Sequence, residues 1–583
     1  MNTVALHNAN IVLSICGTDI DTEKILDRLS RFYRVGVEFI TQIRSPTIAT
    51  YFIRGAKEVY GIDWQYEDTV SFSASAYPIP ERTLLESKGR KEIKNIVTLS
   101  RGDLPDMYRM KPPFCYFHHH KINDTLICFN DFMGMGRLYT YSKNDVHIAG
   151  SSPIAIALAM PEDPAEDSNF WDCYQTHGGG IGSSTYFKDI ELVQPGTKVS
   201  CSKGRMVNRD QYSYQRLLLL KRSGCFDDID AIQAGSDVID AIKGHLPENL
   251  KLGVSGGRDS RFIAALALKA NLDFGAYTSV PPLLEAEIAK ELFDVLDKEI
   301  YWEQLPHPTA ANTPTQPILE RAASWFEFTS GDCWSSFIKN DFTLAQREHG
   351  GHPGLSGASG EIARGHDYTL DCLGKDPFVR IEAMMRSRRN GRVMLPPAVK
   401  SNAVTQLKAE LFQPLSAGIQ GFHLLDYAFA MNRMRRQYPA TGHAVTPILT
   451  AEMAIETFWM APIDKLNATY IVDKTCEIVP EWRNVKYMHE RSVGTDPNLT
   501  NKTMTVPTLW EIDKDDFMHS IDHVIDNFAD LELDRGKVEQ NIAQCPEGRP
   551  RTSQTYEFMF WRSGFLSTMN KVNSIRRDVR IAA

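Results

Sequence analysis

Between Leu252 and Ser260 the chain reads Leu-Gly-Val-Ser-Gly-Gly-Arg-Asp-Ser. Paired glycines, two hydroxyls and a carboxylate at this spacing are suited to holding a polyphosphate. Gly256 and Gly257 let backbone N–H groups approach an anion with no Cβ in the way. Ser255 and Ser260 add hydroxyl donors, and Asp259 would carry the Mg²⁺ that accompanies pyrophosphate. A buried strand ending at Leu252 and Val254 is expected before the glycines, and a helix after them. A helix start offers unpaired N–H groups and the positive end of its dipole, both favourable to phosphate. The segment lacks the Gly-Lys-Ser/Thr ending of a Walker loop. A loop for pyrophosphate implies cleavage between the α- and β-phosphates of ATP. The competing reading is a chance glycine–serine turn, which the strand–loop–helix context disfavours.

Other reactive types are less informative. Arg258 and Arg261 flank Asp259 and Ser260, and a guanidinium pairs bidentately with carboxylate or phosphate. They would clamp an anionic substrate or the leaving pyrophosphate, or else form surface salt bridges. His118, His119 and His120 are adjacent, but on a strand successive side chains point to opposite faces, so the three cannot share one metal. Ten cysteines are scattered with no CxxC pair, against both a disulfide framework and a zinc site. Cys333 and Cys372 have no visible base partner and read as apolar packing.

The elements that must position the loop are legible around it. Residues 226–245 carry a helical pattern leading to the strand at 250–254. A helix over 261–271, a strand over 274–280, a helix over 285–297 and a strand over 299–304 follow. Such alternation implies a parallel sheet with crossover helices. Residues 1–215 read as β-rich, with short runs such as Val4–Leu13, Tyr51–Phe52 and Leu126–Phe129 broken by turn residues. Residues 316–345 and 376–480 read as mostly helical, and 510–542 as one charged amphipathic helix or two. The segments 305–315 and 492–508, rich in Pro, Thr and Asn, read as loops.

A chain of 583 residues is expected to form two or three domains. Its 43% hydrophobic and 23% charged residues are those of a globular protein. A net charge of −9 without a basic run argues against nucleic acid or an anionic membrane as partner. No apolar stretch approaches a bilayer span, and the N-terminal residues lack the basic region of a signal peptide. The expectation is a reduced, cytoplasmic protein.

The Ser-Gly-Gly-Arg-Asp-Ser run resembles the SGGxDS loop of the asparagine synthetase family, which includes β-lactam synthetases and lasso-peptide cyclases. Further segments are similar. Glu285 and Ala289, before Leu296, match the acidic-then-Ala helix after the family's second strand. Leu355 to Gly365 (Leu-Ser-Gly-Ala-Ser-Gly-Glu-Ile-Ala-Arg-Gly) looks like its second loop, which puts Ser356 and Gly357 near the nucleotide. It also puts Glu361 where a second Mg²⁺-binding carboxylate belongs, the competing reading being an exposed loop acid. Pro447-Ile448-Leu449-Thr450 and Ala461-Pro462-Ile463-Asp464-Lys465 resemble later family segments, so the likeness covers about 230–490. The family's catalytic lysine would be Lys465 or Lys474, although the usual context is missing and both also read as ordinary exposed helix lysines. Ala358 stands where β-lactam synthetases carry a Tyr, which disfavours that reaction.

Residues 113–199 also resemble this family, at Asp131 to Tyr141 (Asp-Phe-Met-Gly-Met-Gly-Arg-Leu-Tyr-Thr-Tyr) and at Phe187 to Gly196. These segments imply a glutaminase-like domain of the N-terminal-nucleophile type, whereas the Gly134–Gly136 pair lacks the context of a dinucleotide fingerprint. The family's nucleophile is a cysteine at position 2; here position 2 is Asn2, and Cys16 and Cys115 cannot present a free α-amine. No glutamine hydrolysis is expected, so the amine must come from elsewhere.

The resemblance implies an α/β protein: an Ntn-hydrolase-like αββα sandwich over 1–215, a PP-loop parallel-sheet domain (adenine nucleotide α-hydrolase-like) with many helices over 226–490, and a helical extension over 491–583. It implies ATP and Mg²⁺ as cofactors, with adenine near Leu252, Thr278 and Gly357. The activity implied is ligation of a small-molecule or peptide carboxylate to an amine through an acyl-adenylate. The alternative is a degenerate ATP-binding scaffold.

Overall fold

The computed structural model describes residues 10–55 (except 19), 64–77, 93, 96, 108, 110–210 (except 204), 212–222, 230–280, 283–306, 314–340 (except 332 and 334), 354–366 (except 359), 370, 375–382, 397–437, 444–491, 508–528, 531, 535–543 and 550–581.

The N-terminal strands are β1 (Ile11–Cys16), β2 (Ile40–Arg44), β3 (Ile48–Ile53), β4 (Gln65–Glu67), β5 (Ser71–Ser75), β6 (Cys115–His120), β7 (Thr125–Asn130), β8 (Tyr139–Lys143), β9 (Val146–Gly150), β10 (Ile190–Leu192), β11 (Thr197–Ser202) and β12 (Arg205–Asp210). They form two antiparallel sheets, ordered β10-β8-β9-β1-β3-β2 and β12-β11-β7-β6-β5-β4. The pleat explains why β1 is buried along its whole length. Ile11, Leu13 and Ile15 point away from the second sheet into one core, and Val12 and Cys16 point between the sheets into another. In the second sheet, Phe117, Leu126, Cys128 and Val199 supply the facing half of that inter-sheet core.

Helices α1 (Thr22–Tyr33) and α2 (Pro153–Ala159) cover the first sheet's outer face. Tyr116 and Phe129, on the second sheet's outer face, join a core that includes α3 (Tyr214–Arg222). The layering is helix, sheet, sheet, helix. Asp131 organises the turn after β7: its carboxylate accepts N–H bonds from Phe114, Met133, Met135 and Gly136 at 2.6–3.1 Å. A side chain at Gly136 would collide with the Phe114 backbone, which accounts for the glycine there.

The second unit begins with α4 (Ala231–Ile242), followed by β13 (Lys251–Gly253), α5 (Arg258–Lys269), β14 (Gly275–Val280), α6 (Leu283–Asp294) and β15 (Trp302–Pro306). The three strands are parallel in the order β13-β14-β15, as the alternation implied. A second parallel pair joins β16 (Gly354–Leu355) to β17 (Ala444–Val445). Helices pack around this sheet, so the fold class is the expected mixed α/β arrangement.

Beyond it lie α7 (Ile318–Thr329), α8 (Ala451–Phe458), α9 (Thr469–Ile478), α10 (Lys514–Asn527) and the 32-residue α11 (Pro550–Ile581). Helices α7, α10 and α11 share their core with the first sheet's outer face rather than with the parallel sheet. Among the described residues no helix is long and apolar enough to cross a membrane. Asn2, Cys372 and most of the expected loops at 305–315 and 492–508 lie outside the described residues, and Leu305 and Pro306 end β15 instead of opening a loop.

Candidate nucleotide and divalent-cation site

Val254 leaves β13 with its N–H donated to the Tyr277 carbonyl at 2.9 Å. Its own carbonyl accepts from the Thr278 hydroxyl at 2.6 Å, and that hydroxyl accepts from Trp302 Nε1 at 3.0 Å. Thr278 therefore fastens the loop to the neighbouring strand. The Leu252 and Val254 side chains are buried in the core beneath; only their backbone faces the loop. Helix α5 starts at Arg258, three residues earlier than its apolar period suggested, which puts Asp259 and Ser260 in the first turn. Its cap, Gly257, is extended and makes no side-chain capping bond, so the helix N-terminus keeps donors for a ligand. Ser255 Oγ accepts from Gly257 N–H at 3.1 Å, and Ser260 Oγ accepts from Ser255 N–H at 3.2 Å. The two hydroxyls pre-order the turn, and a phosphate would add to these bonds or replace them.

The second loop leaves β16 with Ser356 N–H donating to the Val445 carbonyl at 3.0 Å and Ser356 Oγ accepting from Ala358 N–H at 3.1 Å. Two glycines let it lie on the first loop. A Cβ on Gly357 would sit 3.3 Å from Asp259 Cβ, and one on Gly360 would collide with Asp259 Oδ1. Glu361, in the short helical turn Gly360–Ala363, thereby comes alongside Asp259. Arg364 joins them: its Nη2 donates to Asp259 Oδ2 at 2.9 Å and to Glu361 Oε1 at 3.4 Å. Among the described residues Asp259 Oδ1, Arg258 Nε and Arg364 Nε are buried without a hydrogen-bond partner. Burial pushes the Asp259 carboxyl up to about 6, with Arg364 opposing and Glu361 reinforcing the shift.

This donor set fits a divalent ion carried in on a polyphosphate. Mg²⁺ commonly takes one or two protein carboxylates and completes its shell with phosphate oxygens and water. Asp259 and Glu361 are close enough to share one guanidinium nitrogen, and Asp259 keeps an unused oxygen. An all-protein metal cage is a different matter: among the described residues no group of three or more His, Cys, Asp or Glu is placed to form one.

The remaining site candidates separate. Arg258 stays at the loop, donating to His489 Nε2 at 2.8 Å. Arg261 turns away: it donates to the carbonyls of Val485 and Lys486 at 2.7 and 3.2 Å and stacks on Tyr487 at 3.7 Å. It is neither a clamp nor a surface salt bridge but a fully buried brace for 485–487. Lys465 is not an exposed helix lysine either; it is fully buried and paired with Asp426 at 2.6 Å. Lys474 pairs with Glu477 at 2.7 Å and lines a cavity of about 530 Å³ with Asp230, Lys269 and Glu456. Lys269 ends α5, so that cavity is roughly 15–18 Å from the loop at 1.5 Å per residue. Neither lysine is brought to Asp259.

Three contacts had no signal in the sequence. Met488 N–H donates to the Gly256 carbonyl at 3.0 Å, and His489 follows it onto Arg258. Arg364 lay within a segment singled out for Glu361, yet its bridge spans 105 residues of chain.

In the N-terminal sandwich, Cys16 is buried between the sheets with its thiol raised by contact with Cys201 and by burial, and burial raises the Cys115 thiol. The histidine run divides as the pleat requires. His119 lies between the sheets, bonded to Ser45 Oγ at 2.7 Å and Thr50 Oγ1 at 3.1 Å. His118 lies on the opposite face, bonded to Ser73 Oγ at 2.8 Å.

No protein-family model matches the chain, and neither does any curated protein. Among solved structures it is similar to glutamine phosphoribosylpyrophosphate (PRPP) amidotransferase from B. subtilis complexed with ADP and GMP. The identity is 10%, over 47% of this chain and 82% of that one, with a TM-score of 0.22. It is also similar to an allosteric regulatory enzyme of purine biosynthesis, at 10% identity over 50% of this chain and 80% of that one, with a TM-score of 0.21. At these TM-scores the overlap is too loose to define fold or activity, so a functional reading rests on the site's own atoms.

Proposed function

We propose that the chain is an ATP-dependent amide ligase that releases AMP and pyrophosphate. The observation that carries this reading is the convergence of two loops on Asp259: a glycine turn capping α5 and a second glycine loop that sets Glu361 beside it. Ser255, Gly256, Gly257 and Ser260 would hold the β- and γ-phosphates, and Ser356 and Gly357 would border the nucleotide. Mg²⁺ on Asp259 and Glu361, when bound, would neutralise charge on the leaving pyrophosphate. Arg258 would bind phosphoryl oxygen from the other side of the loop. A carboxylate substrate attacks the α-phosphorus, and the bond to the bridging oxygen of pyrophosphate breaks. An amine then displaces AMP from the acyl carbon. With Asn2 where the family carries its cysteine nucleophile, the amine would be carried by the carboxylate substrate, by a second small molecule or by free ammonia.

Pyrophosphate release on adding ATP, Mg²⁺ and candidate acids tests this. Asp259→Ala is expected to lower release by at least about a hundredfold, the scale of losing a charge-stabilising group. Release at the wild-type rate would refute the mechanism.

A second reading, a nucleotide-binding scaffold without turnover, is favoured by one observation: Lys465 is sealed against Asp426 and Lys474 is remote. Calorimetric binding of Mg²⁺–ATP with no AMP formed from any acid would select it.

A further inference from the structure

Resting on that reading, we infer that Arg364 is the mobile cation of the site, exchanging the carboxylates of Asp259 and Glu361 for the pyrophosphate oxygens when the divalent ion arrives. Two carboxylates packed this closely repel each other unless a counter-charge stands between them. Arg364 supplies it here through a single nitrogen, Nη2, at 2.9 and 3.4 Å. Nε, the other arm of the fork that grips phosphate bidentately, has no hydrogen-bond partner. The side chain is one-third exposed, which leaves solvent along one side of it.

Once Asp259 and Glu361 take a divalent cation, the guanidinium loses its counter-charge and is repelled by the ion. The nearest anion is then the polyphosphate at the N-terminus of α5, one side chain away. Lys465 is committed to Asp426, Lys474 to Glu477 and Arg261 to backbone carbonyls, which leaves Arg258 on the far side of the loop and Arg364 on this one. Arg364 thus keeps the carboxylates together in the free protein and adds a fixed charge to the pyrophosphate in the loaded one.

The two roles predict effects of opposite sign. Full-length wild-type protein, Arg364→Gln and Arg364→Lys are titrated with Mn²⁺ alone and, separately, with Mg²⁺–pyrophosphate, by calorimetry. Removing a competing cation should tighten Mn²⁺ binding in Arg364→Gln by about tenfold. Removing a charged donor to phosphate should weaken Mg²⁺–pyrophosphate binding by about 10–100-fold. Arg364→Lys, which keeps the charge without the fork, should fall between. Thermal melts check that the variants remain folded, and the lysine variant retains the charge balance if glutamine does not. Wild-type binding of Mg²⁺–pyrophosphate with both affinities unchanged in Arg364→Gln, or with both weakened together, would overturn the exchange and leave the loop assignment standing. Failure of wild type to bind Mg²⁺–pyrophosphate would remove the loop assignment and this inference with it.

Discussion

His119 has no exposed surface, and its ring is held between Ser45 and Thr50 where the two sheets face each other. Burial pushes its pKa down to about 4 from 6.5, with Asp124 opposing. The folded state therefore keeps the ring neutral where the unfolded chain would protonate it. Stability from this group is complete above pH 6.5 and declines as pH falls toward 4. At about 1.4 kcal/mol per unit the loss amounts to roughly 3 kcal/mol at most. His119→Gln should flatten the pH dependence of urea-unfolding free energy between pH 4.5 and 6.5, from a lower plateau. Parallel slopes in the two proteins would mean that other groups set it. The sequence could say that three histidines would divide between faces, since that follows from the pleat. Which one would lie between the sheets depends on Ser45 and Thr50, some 70 residues away. The same limit applied at the site: Asp259 and Glu361 stood out in short motifs, whereas the Arg364 bridge depends on how two distant loops pack.

The loop elements depend on glycines for a reason that separates one glycine from another. Gly360 faces Asp259 so closely that a methyl group would collide with Oδ1. Gly244, in the turn after α4, has nothing within 4 Å of an added Cβ. Gly360→Ala should push the second loop off the first and weaken Mg²⁺–ATP binding by about tenfold or more, the loss of one charge-assisted contact. Gly244→Ala should bind as wild type and melt at the same temperature or slightly higher. Equal binding by both variants would show that the loops need not touch. The strands and helices from β13 to β15 were readable to within a few residues because short half-buried strands alternate with amphipathic helices along the chain. The start of α5 was missed by three residues, because Arg258, Asp259 and Ser260 are polar and belong to the loop's chemistry rather than to the helix's apolar face.

At the scale of the molecule, chain order and core membership diverge, and this was the least legible feature. Residues 491–583 read as a helical extension, with nothing in their pattern to say where they pack, and α10 and α11 complete the helical layer over the first N-terminal sheet. Phe565 of α11 lies 5.3–5.9 Å, ring to ring, from Trp171, Tyr186, Phe187 and Phe326. Arg576 donates to the carbonyls of Ala157, Met160 and Glu162 at 2.6–3.0 Å, closing the end of α2. Periodicity does not foretell such docking, since Tyr556, Phe558, Met559, Phe560 and Trp561 are buried on every side of the helix rather than along one stripe. Removing residues 508–583 would bare those four rings together with Phe32, which Lys571 covers. At about 1.5–3 kcal/mol for each large apolar side chain, the loss is comparable to the roughly 5–15 kcal/mol by which folded proteins are stable. The shortened chain should aggregate or lose its near-ultraviolet dichroism although every residue of the phosphate loop is retained, while Phe565→Ala should cost about 3–5 kcal/mol and lower the melting temperature of a still-folded protein. A shortened chain that stayed monomeric, melted cooperatively and bound Mg²⁺–ATP as the full chain does would show that the sandwich stands without its C-terminal layer, and that the loop's geometry is set within the parallel-sheet unit alone.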